Sequence, residues 1–490
     1  LDEVLKCNKV AEVALCYTGD ILDESRDKYS LEYYVKKAKE IEKMGAHILG
    51  IKDMSALLKP YAAKKLITAL KNEISIPIHL HTHDTTGNGV ATVLMAADAG
   101  VDIVDTTFNS MSGLTSQPAL NSIVAALENT DRATGIDLSN IEKISEYWAS
   151  VRPVYSQFES ELKTGSAEIY KYEIPGGQYS NLKAQVESFG LGHRYDEVKK
   201  MYKRVNDMLG DIIKVTPSSK MVGDMAIFML QNDLNEENIY EKAKNMAFPD
   251  SVVSYFKGMM GQPEGGFPEK LQKLVLKDEK PITVRPGELL GDEDFDAIEK
   301  HIKDKFKYNP ERKDLISYAL YPDVFEDFIN FRLEYGDVSR MGSDVFFHGL
   351  REGETCEIEV AEGKIFIIQL VEIGKLDAEG YRTLDFEVNG NRREIKVKDK
   401  SIRYEGNIEE SLTKMADPEN KMEIGAGIPG NVIKILVKEG EEVKENQNLL
   451  VIEAMKMETN ILATSSGIVD SIIVKEGQQV KTGELLITLK

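Results

Sequence analysis

Apolar and amphipathic runs alternate four times near the start of the chain. The run EVALCYTGD (12–20) leads into LEYYVKKAKEIEKMG, and HILGIKD (47–53) into KPYAAKKLITALKNE. IPIHLHTHD (76–84) leads into GNGVATVLMAADAG, and VDIVDTTFN (101–109) into QPALNSIVAALEN. Short apolar strands separated by three-to-four-spaced helices predict parallel βα units. Polar residues collect where each strand ends: Tyr17 and Asp20, Lys52 and Asp53, His81 and His83, Asp105 and Thr106. That is the chemical rim of a (β/α)₈ barrel. Four units make half of such a barrel. The chain also starts at Leu1 without an initiator methionine, so the expectation is a truncated sequence whose first four strands lie upstream. An open doubly wound sheet is the alternative.

Beyond Asn140 the pattern turns helical. YDEVKKMYKRVNDMLGDIIKVTPSSKMVGDMAIFML carries apolar residues at helical spacing on both sides of TPSSK, with Pro217 as the break. Residues 263–285 mix Pro, Gly and charge and read as a connection. DAIEKHIKDKF and PDVFEDFINFRLEYG read as helices, and from Val345 the pattern alternates as strands. Asn389-Gly390 is a hairpin signal. Residues 399–424 keep no period and read as a tether, which fully extended reaches roughly 90 Å. The last segment repeats itself. GNVIKILVKEGEEVKENQNLLVIEA from Gly430 realigns with GIVDSIIVKEGQQVKTGELLITLK from Gly467. Two copies of one strand-turn-strand unit predict a small flattened β barrel closed around a pseudo-twofold axis. The expected division is 1–140, 141–310, 311–400, a linker over 401–424, and 425–490.

The totals fit a multidomain globular chain: 490 residues, 42% hydrophobic and 29% charged. A net charge of −21 argues against a nucleic-acid groove. No apolar run is long enough for a membrane span. The N-terminal stretch is unlike a secretion signal. Cys7, Cys16 and Cys356 have no metal-like spacing and point to reduced thiols in the cytoplasm.

Three sites carry candidate chemistry. His79, His81 and His83 alternate along one strand and share a face, so they can converge on a divalent ion of the Zn, Mn or Co type. Layer-filling polar residues are the other reading, and His79, the deepest, is expected to fill or to support its neighbours. Thr216 and Ser219 flank Pro217, where a hydroxyl is ordinarily a helix cap. Lys456 stands between Met455 and Met457 just after the first copy of the repeat, displayed at the turn joining the two halves.

EAMKM around Lys456 resembles the attachment motif of biotin carboxyl carrier domains. Lipoyl carriers share that fold, but their lysine normally sits in an acidic DKA-like context. IKDMSALLKP, HLHTHDTTGNGVAT, NSMSGLTSQP, PGGQYSNL and KVTPSSKMVGD together resemble the carboxyltransferase of the pyruvate carboxylase family. The resemblance implies a multidomain α/β chain: a partial TIM-type barrel, a helical extension, a small α+β segment for tetramer contacts and allosteric coupling, and an all-β biotinyl domain. It implies biotin on Lys456, attached by a biotin protein ligase. It implies a divalent metal held by Lys52 as a carbamate with His81 and His83, its aspartate ligand and a pyruvate-clamping arginine lying on a missing strand. Thr216 would shuttle a proton between the pyruvate methyl and the biotin nitrogen, and Ser219 and Lys220 would contact biotin. The implied reaction is carboxyl transfer from carboxybiotin to pyruvate, giving oxaloacetate. ATP, Mg²⁺ and bicarbonate would act at an upstream domain. A homotetramer and an acetyl-CoA or cyclic dinucleotide effector complete the expectation. Two alternatives stay open. One is the α subunit of an oxaloacetate decarboxylase, which usually has an Ala/Pro-rich hinge and Gln where Lys220 stands. The other is a non-catalytic biotinylated fragment.

Overall fold

A computed structural model describes residues 1–160, 162–189, 191–244, 246–277, 279–399, 414–417, 420–427, 429–454 and 457–490. Four strands pair in parallel and in sequence order: β1 (Glu12–Cys16), β2 (Ile48–Asp53), β3 (Ile78–Thr82) and β4 (Ile103–Val104). A doubly wound sheet reverses its order at a switch point, and this sheet has none. Each strand is followed by a helix: α1 (Leu31–Lys43), α2 (Pro60–Glu73), α3 (Gly89–Asp98) and α4 (Leu120–Leu127). The Ser30 side chain caps α1 by accepting from the Tyr33 N–H, and Pro60 opens α2 where no backbone donor is needed.

Strand alternation divides the residues between two faces. Leu49 and Ile51 of β2 and Ile78 and Leu80 of β3 are fully buried. They share one core with Leu66, Ile67 and Leu70 of α2 and Tyr34, Ala38 and Ile41 of α1. The intervening positions, among them Lys52, His79 and His81, face the other way. β4 is shorter than the expected strand over 101–109. It pairs on one side only, so its ladder has half the usual partners.

The helical extension centres on the helix Ser218–Gln231, eleven of whose residues are buried. It packs against the helices Tyr195–Met208 and Asp250–Lys257. The segment 263–285 is more than a connection. It holds the helix Glu269–Leu276, with Leu271, Val275 and Leu276 buried. Pro263, Pro268 and two glycines obscured its short period.

By compactness, Leu1–Gly287 groups with Leu412–Lys490, and Glu288–Ser411 forms a second unit. In that second unit Ile298, Ile302, Phe306, Phe325 and Ile329 form a small core of their own. Its four-stranded antiparallel sheet starts at Thr355. Residues Ser343–His348, whose apolar pattern reads as the beginning of a strand, form a helix instead. The Asn389-Gly390 turn has φ of +48° and +77° and joins Val388 to Asn391, as a tight hairpin of this type requires.

The C-terminal repeat is expressed in the pairing itself. Lys434 pairs with Val451, and at the same offset Ser471 pairs with Thr488. The two copies exchange their short strands: Gly430 pairs with Val480, and Val443 with Gly467. The barrel also takes in Glu423–Gly425, which pairs with Leu485–Leu489. Most of the tether, and Met455 and Lys456, lie outside the described residues. The flanking strands end at Ala454 and resume at Met457.

Asp53 holds the turn from β2 into α2. It is fully buried and accepts from the Leu57 N–H (2.8 Å), the Leu58 N–H (3.0 Å) and the Thr82 hydroxyl (2.8 Å). Asp53→Ala strands three buried donors and is expected to destabilise this unit by about 3 kcal/mol, read from its denaturant midpoint.

Candidate active site

The parallel registers place Cys16, Lys52 and His81 side by side on β1, β2 and β3. One residue past β3, His83 joins them. The His81 and His83 rings stand 5.2 Å apart, nearly perpendicular. Nδ1 of His81 lies 2.7 Å from an Asp105 carboxylate oxygen, and Nδ1 of His83 lies 2.6 Å from the Thr115 carbonyl oxygen. With Nδ1 engaged in this way, Nε2 is the nitrogen each ring has for an ion, which is how metal-binding histidines are oriented. Burial also holds the His83 imidazole below its ordinary pKa, keeping it neutral at pH 7, the ligating form. Among the described residues no three His, Cys, Asp or Glu side chains form a metal-binding group. The donors present are therefore two imidazoles and the Lys52 amine, which fit an ion once the amine has become an anionic carbamate. Asp53 is committed to its three hydrogen bonds and is not a donor to this site.

His79 departs from the other two histidines. It lies one layer below, with Nδ1 3.0 Å from Glu12 and Nε2 2.9 Å from Asp105. Burial opposes its protonation, but these two carboxylates outweigh burial and raise its pKa. Asp105 thus bridges His79 and His81. Gly50 leaves room for the Glu12 contact, because a Cβ there would come within 2.6 Å of the Glu12 carboxylate.

A cavity of about 830 Å³ opens above these strand ends. Lys52, His81 and His83 line one side, and Thr216, Ser219 and Lys220 another. Thr216 is exposed and lies in the irregular segment before the helix Ser218–Gln231. No side chain caps that helix, so Thr216 does not serve as its cap. Ser218 instead closes the turn, accepting from the Val215 N–H at 3.1 Å. Ser219 is buried, and its carbonyl accepts from the Tyr202 hydroxyl at 3.2 Å. The Lys220 ammonium donates to Asp224 at 2.7 Å.

Behind this wall lies a residue that the sequence did not single out. Asp224 is fully buried and also accepts from Gln185 (3.0 Å) and Ser251 (2.7 Å), fixing the Lys220 side chain. Gln178 lines the cavity, its amide nitrogen buried without a partner among the described residues and packed on Gly223. Helical i,i+4 spacing was the one signal for Lys220–Asp224. The biotin-attachment lysine expected at position 456 lies outside the described residues.

A four-stranded parallel βα unit, a helical extension and a duplicated β domain follow one another in the order of the domains of biotin-dependent carboxylases. Three family descriptions match in chain order: HMGL-like over residues 9–147, conserved carboxylase domain over 169–369, and biotin-requiring enzyme over 422–489. Pyruvate carboxylase of Bacillus subtilis is 51% identical over this whole chain and 42% of its own length. The carboxyl transferase domain of Rhizobium etli pyruvate carboxylase, solved with pyruvate and biocytin, is 48% identical. That match covers 82% of this chain and 68% of that one, with a TM-score of 0.77. The complete multifunctional Rhizobium etli enzyme is 44% identical over 99% of this chain and 44% of its own, also at a TM-score of 0.77. The chain belongs to the pyruvate carboxylase family and corresponds to the C-terminal half of its members. It spans about two fifths of the length of the curated relatives it matches.

Proposed function

We propose that this chain carries the carboxyl-transfer half of pyruvate carboxylation, forming oxaloacetate. The observation behind this reading is the cavity itself. It gathers an amine and two imidazoles on one side and a hydroxyl and a clamped ammonium on another, in a chain that also bears a biotin-requiring domain. Lys456 is the attachment point, loaded by a biotin protein ligase. When bound, biotin supplies the transferable carboxyl group, and a divalent ion of the Mn, Zn or Co type supplies a Lewis acid for the pyruvate enolate.

Lys52 as a carbamate, His81 and His83 would hold that ion. Thr216 Oγ1 would take a proton from the pyruvate methyl group as it passes its own to the nitrogen that biotin would present once its carboxyl group has left as CO₂. A hydroxyl of ordinary acidity can act only in such a concerted relay. Ser219 and Lys220 orient the biotin ring, Lys220 being steadied by Asp224. Gln178, and Lys220 where the decarboxylase α subunit usually has glutamine, match pyruvate carboxylases and favour that reading over the decarboxylase. ATP, Mg²⁺ and bicarbonate belong to a domain outside this chain. The setting is cytoplasmic. Among the described residues no helix is long and apolar enough to cross a membrane. In the second unit Val324, Phe328 and Phe331 are exposed, an apolar surface in keeping with a homotetramer.

Three variants test this reading. Lys456→Arg is expected to abolish streptavidin detection while far-UV circular dichroism is unchanged; retained detection would move the attachment site elsewhere. Thr216→Ala is expected to slow oxaloacetate formation by roughly 10²–10⁴-fold and leave biotinylation intact. Lys52→Ala is expected to cut bound divalent metal, measured by elemental analysis of the purified protein, by about tenfold or more. Full metal occupancy in that variant would sink the carbamate assignment.

A further inference from the structure

Two residues before Thr216 the chain buries a lysine. Lys214 is 1% exposed, and its ammonium lies 3.2 Å from one Glu173 oxygen and 3.9 Å from an Asp211 oxygen. The Arg26 guanidinium spans the other side, donating to Glu173 and, at 3.0 Å, to the second Asp211 oxygen. The four charges alternate in sign around a closed ring: Arg26, Glu173, Lys214, Asp211. Glu173 is as buried as Lys214. Burial would raise its pKa, but Lys214 and Arg26 outweigh burial and keep it ionised.

We propose that this ring positions the Thr216 hydroxyl over the strand ends, so that Arg26, Glu173, Lys214 and Asp211 are positioning residues for the proton relay. The inference rests on the carboxyl-transfer reading above.

Three irregular segments meet at the ring, and two of them lead to the site, one to the His83 wall and one to Thr216. Arg26 lies in the loop from β1 to α1. That loop is fixed by Tyr34, whose hydroxyl accepts from the Thr18 N–H (2.9 Å) and donates to the Thr18 carbonyl (3.0 Å). Glu173 ends the short helix Ile169–Tyr172 in a left-handed conformation, φ +56°. Three residues on, the Gly176 N–H donates to the Met54 carbonyl at 2.9 Å. A Cβ on Gly176 would stand 3.2 Å from Nδ1 of His83, so this segment is seated against the metal-side histidine. Asp211 is also left-handed, φ +53°. Its carboxylate accepts from Asn206 (2.8 Å), and its carbonyl from Lys28 (3.0 Å) and Tyr29 (2.9 Å).

Lys214 to Thr216 is at most roughly 7 Å of chain. One ring thus sets the relay segment and the His83 wall against each other with little slack. A buried ion cluster is a poor means of gaining stability, because desolvation cancels most of the attraction. It is an effective means of selecting one geometry, since any shift leaves a charge unpaired. Proton relays need that restriction, because displacement of about 1 Å can cost 10²-fold in rate.

The test uses the biotinylated holoenzyme carrying Lys214→Met, Glu173→Gln, and each combined with Thr216→Ala. Alone, each ring variant is expected to lower kcat for transfer to pyruvate by about tenfold or more while moving the pyruvate KM less than about threefold. In the Thr216→Ala background the same change is expected to cost less than about twofold, because the group it positions is gone. An equal loss in both backgrounds would show a merely structural role and overturn the proposal. Hydrogen exchange over residues 209–217 is expected to quicken by about tenfold or more while the helix Tyr195–Met208 is unchanged. Unchanged exchange over 209–217 would also overturn it. If Lys214→Met does not fold, the isosteric Glu173→Gln decides. If Thr216→Ala alone leaves transfer intact, the functional reading fails, and hydrogen exchange still decides whether the ring holds the segment.

Discussion

Parallel registration of β2 and β3 is the constraint from which the rest of the site follows. Lys52 opposite His81 fixes both side chains at one height on one face, before any loop is considered. The alternate positions are filled by Leu49, Ile51, Ile78 and Leu80, which are buried against the helices. A slip of one residue would bury the imidazoles and the amine and expose the aliphatic side chains. The apolar layer therefore enforces the chemical one. Asp53 and Asp105 extend that order outward, one holding the β2 turn and the other linking two of the imidazoles.

The helical extension brings the remaining groups to this fixed layer. Its central helix is buried along nearly its whole length, so it acts as a rigid post. Only its first turn and the segment before it reach the cavity. Thr216 stays exposed in the segment before the helix, where Ser218 closes the turn by accepting from the Val215 N–H. Lys220, one turn into the helix, cannot swing freely, since its partner Asp224 has no exposure and two other donors.

What could be read from the residues, and what could not, divides by the range of the interaction. The βα alternation, the Asn389-Gly390 hairpin and the duplicated C-terminal unit are local patterns, and each appears as a repeating element in the fold. The histidine pair was legible because strand periodicity alone puts positions two apart on one face. The ring of Arg26, Glu173, Lys214 and Asp211 was not. Its members come from three irregular segments, Glu173 and Lys214 are 41 residues apart, and no period links them. The helix Glu269–Leu276 was hidden by its proline and glycine neighbours, and Ser343–His348 by an apolar run too short to show its period. The likeness to pyruvate carboxylases supplied what no spacing could: the expectation that a lysine beside two imidazoles would be a donor once modified.

The strand exchange in the C-terminal barrel has a consequence for its origin. Each copy lends its short strand to the other, so neither can satisfy its own hydrogen-bonding edge. A solitary copy would need a second molecule to close against. Duplication within one gene turns that bimolecular requirement into an intramolecular one, and the domain then assembles at any concentration, even on the end of a long chain.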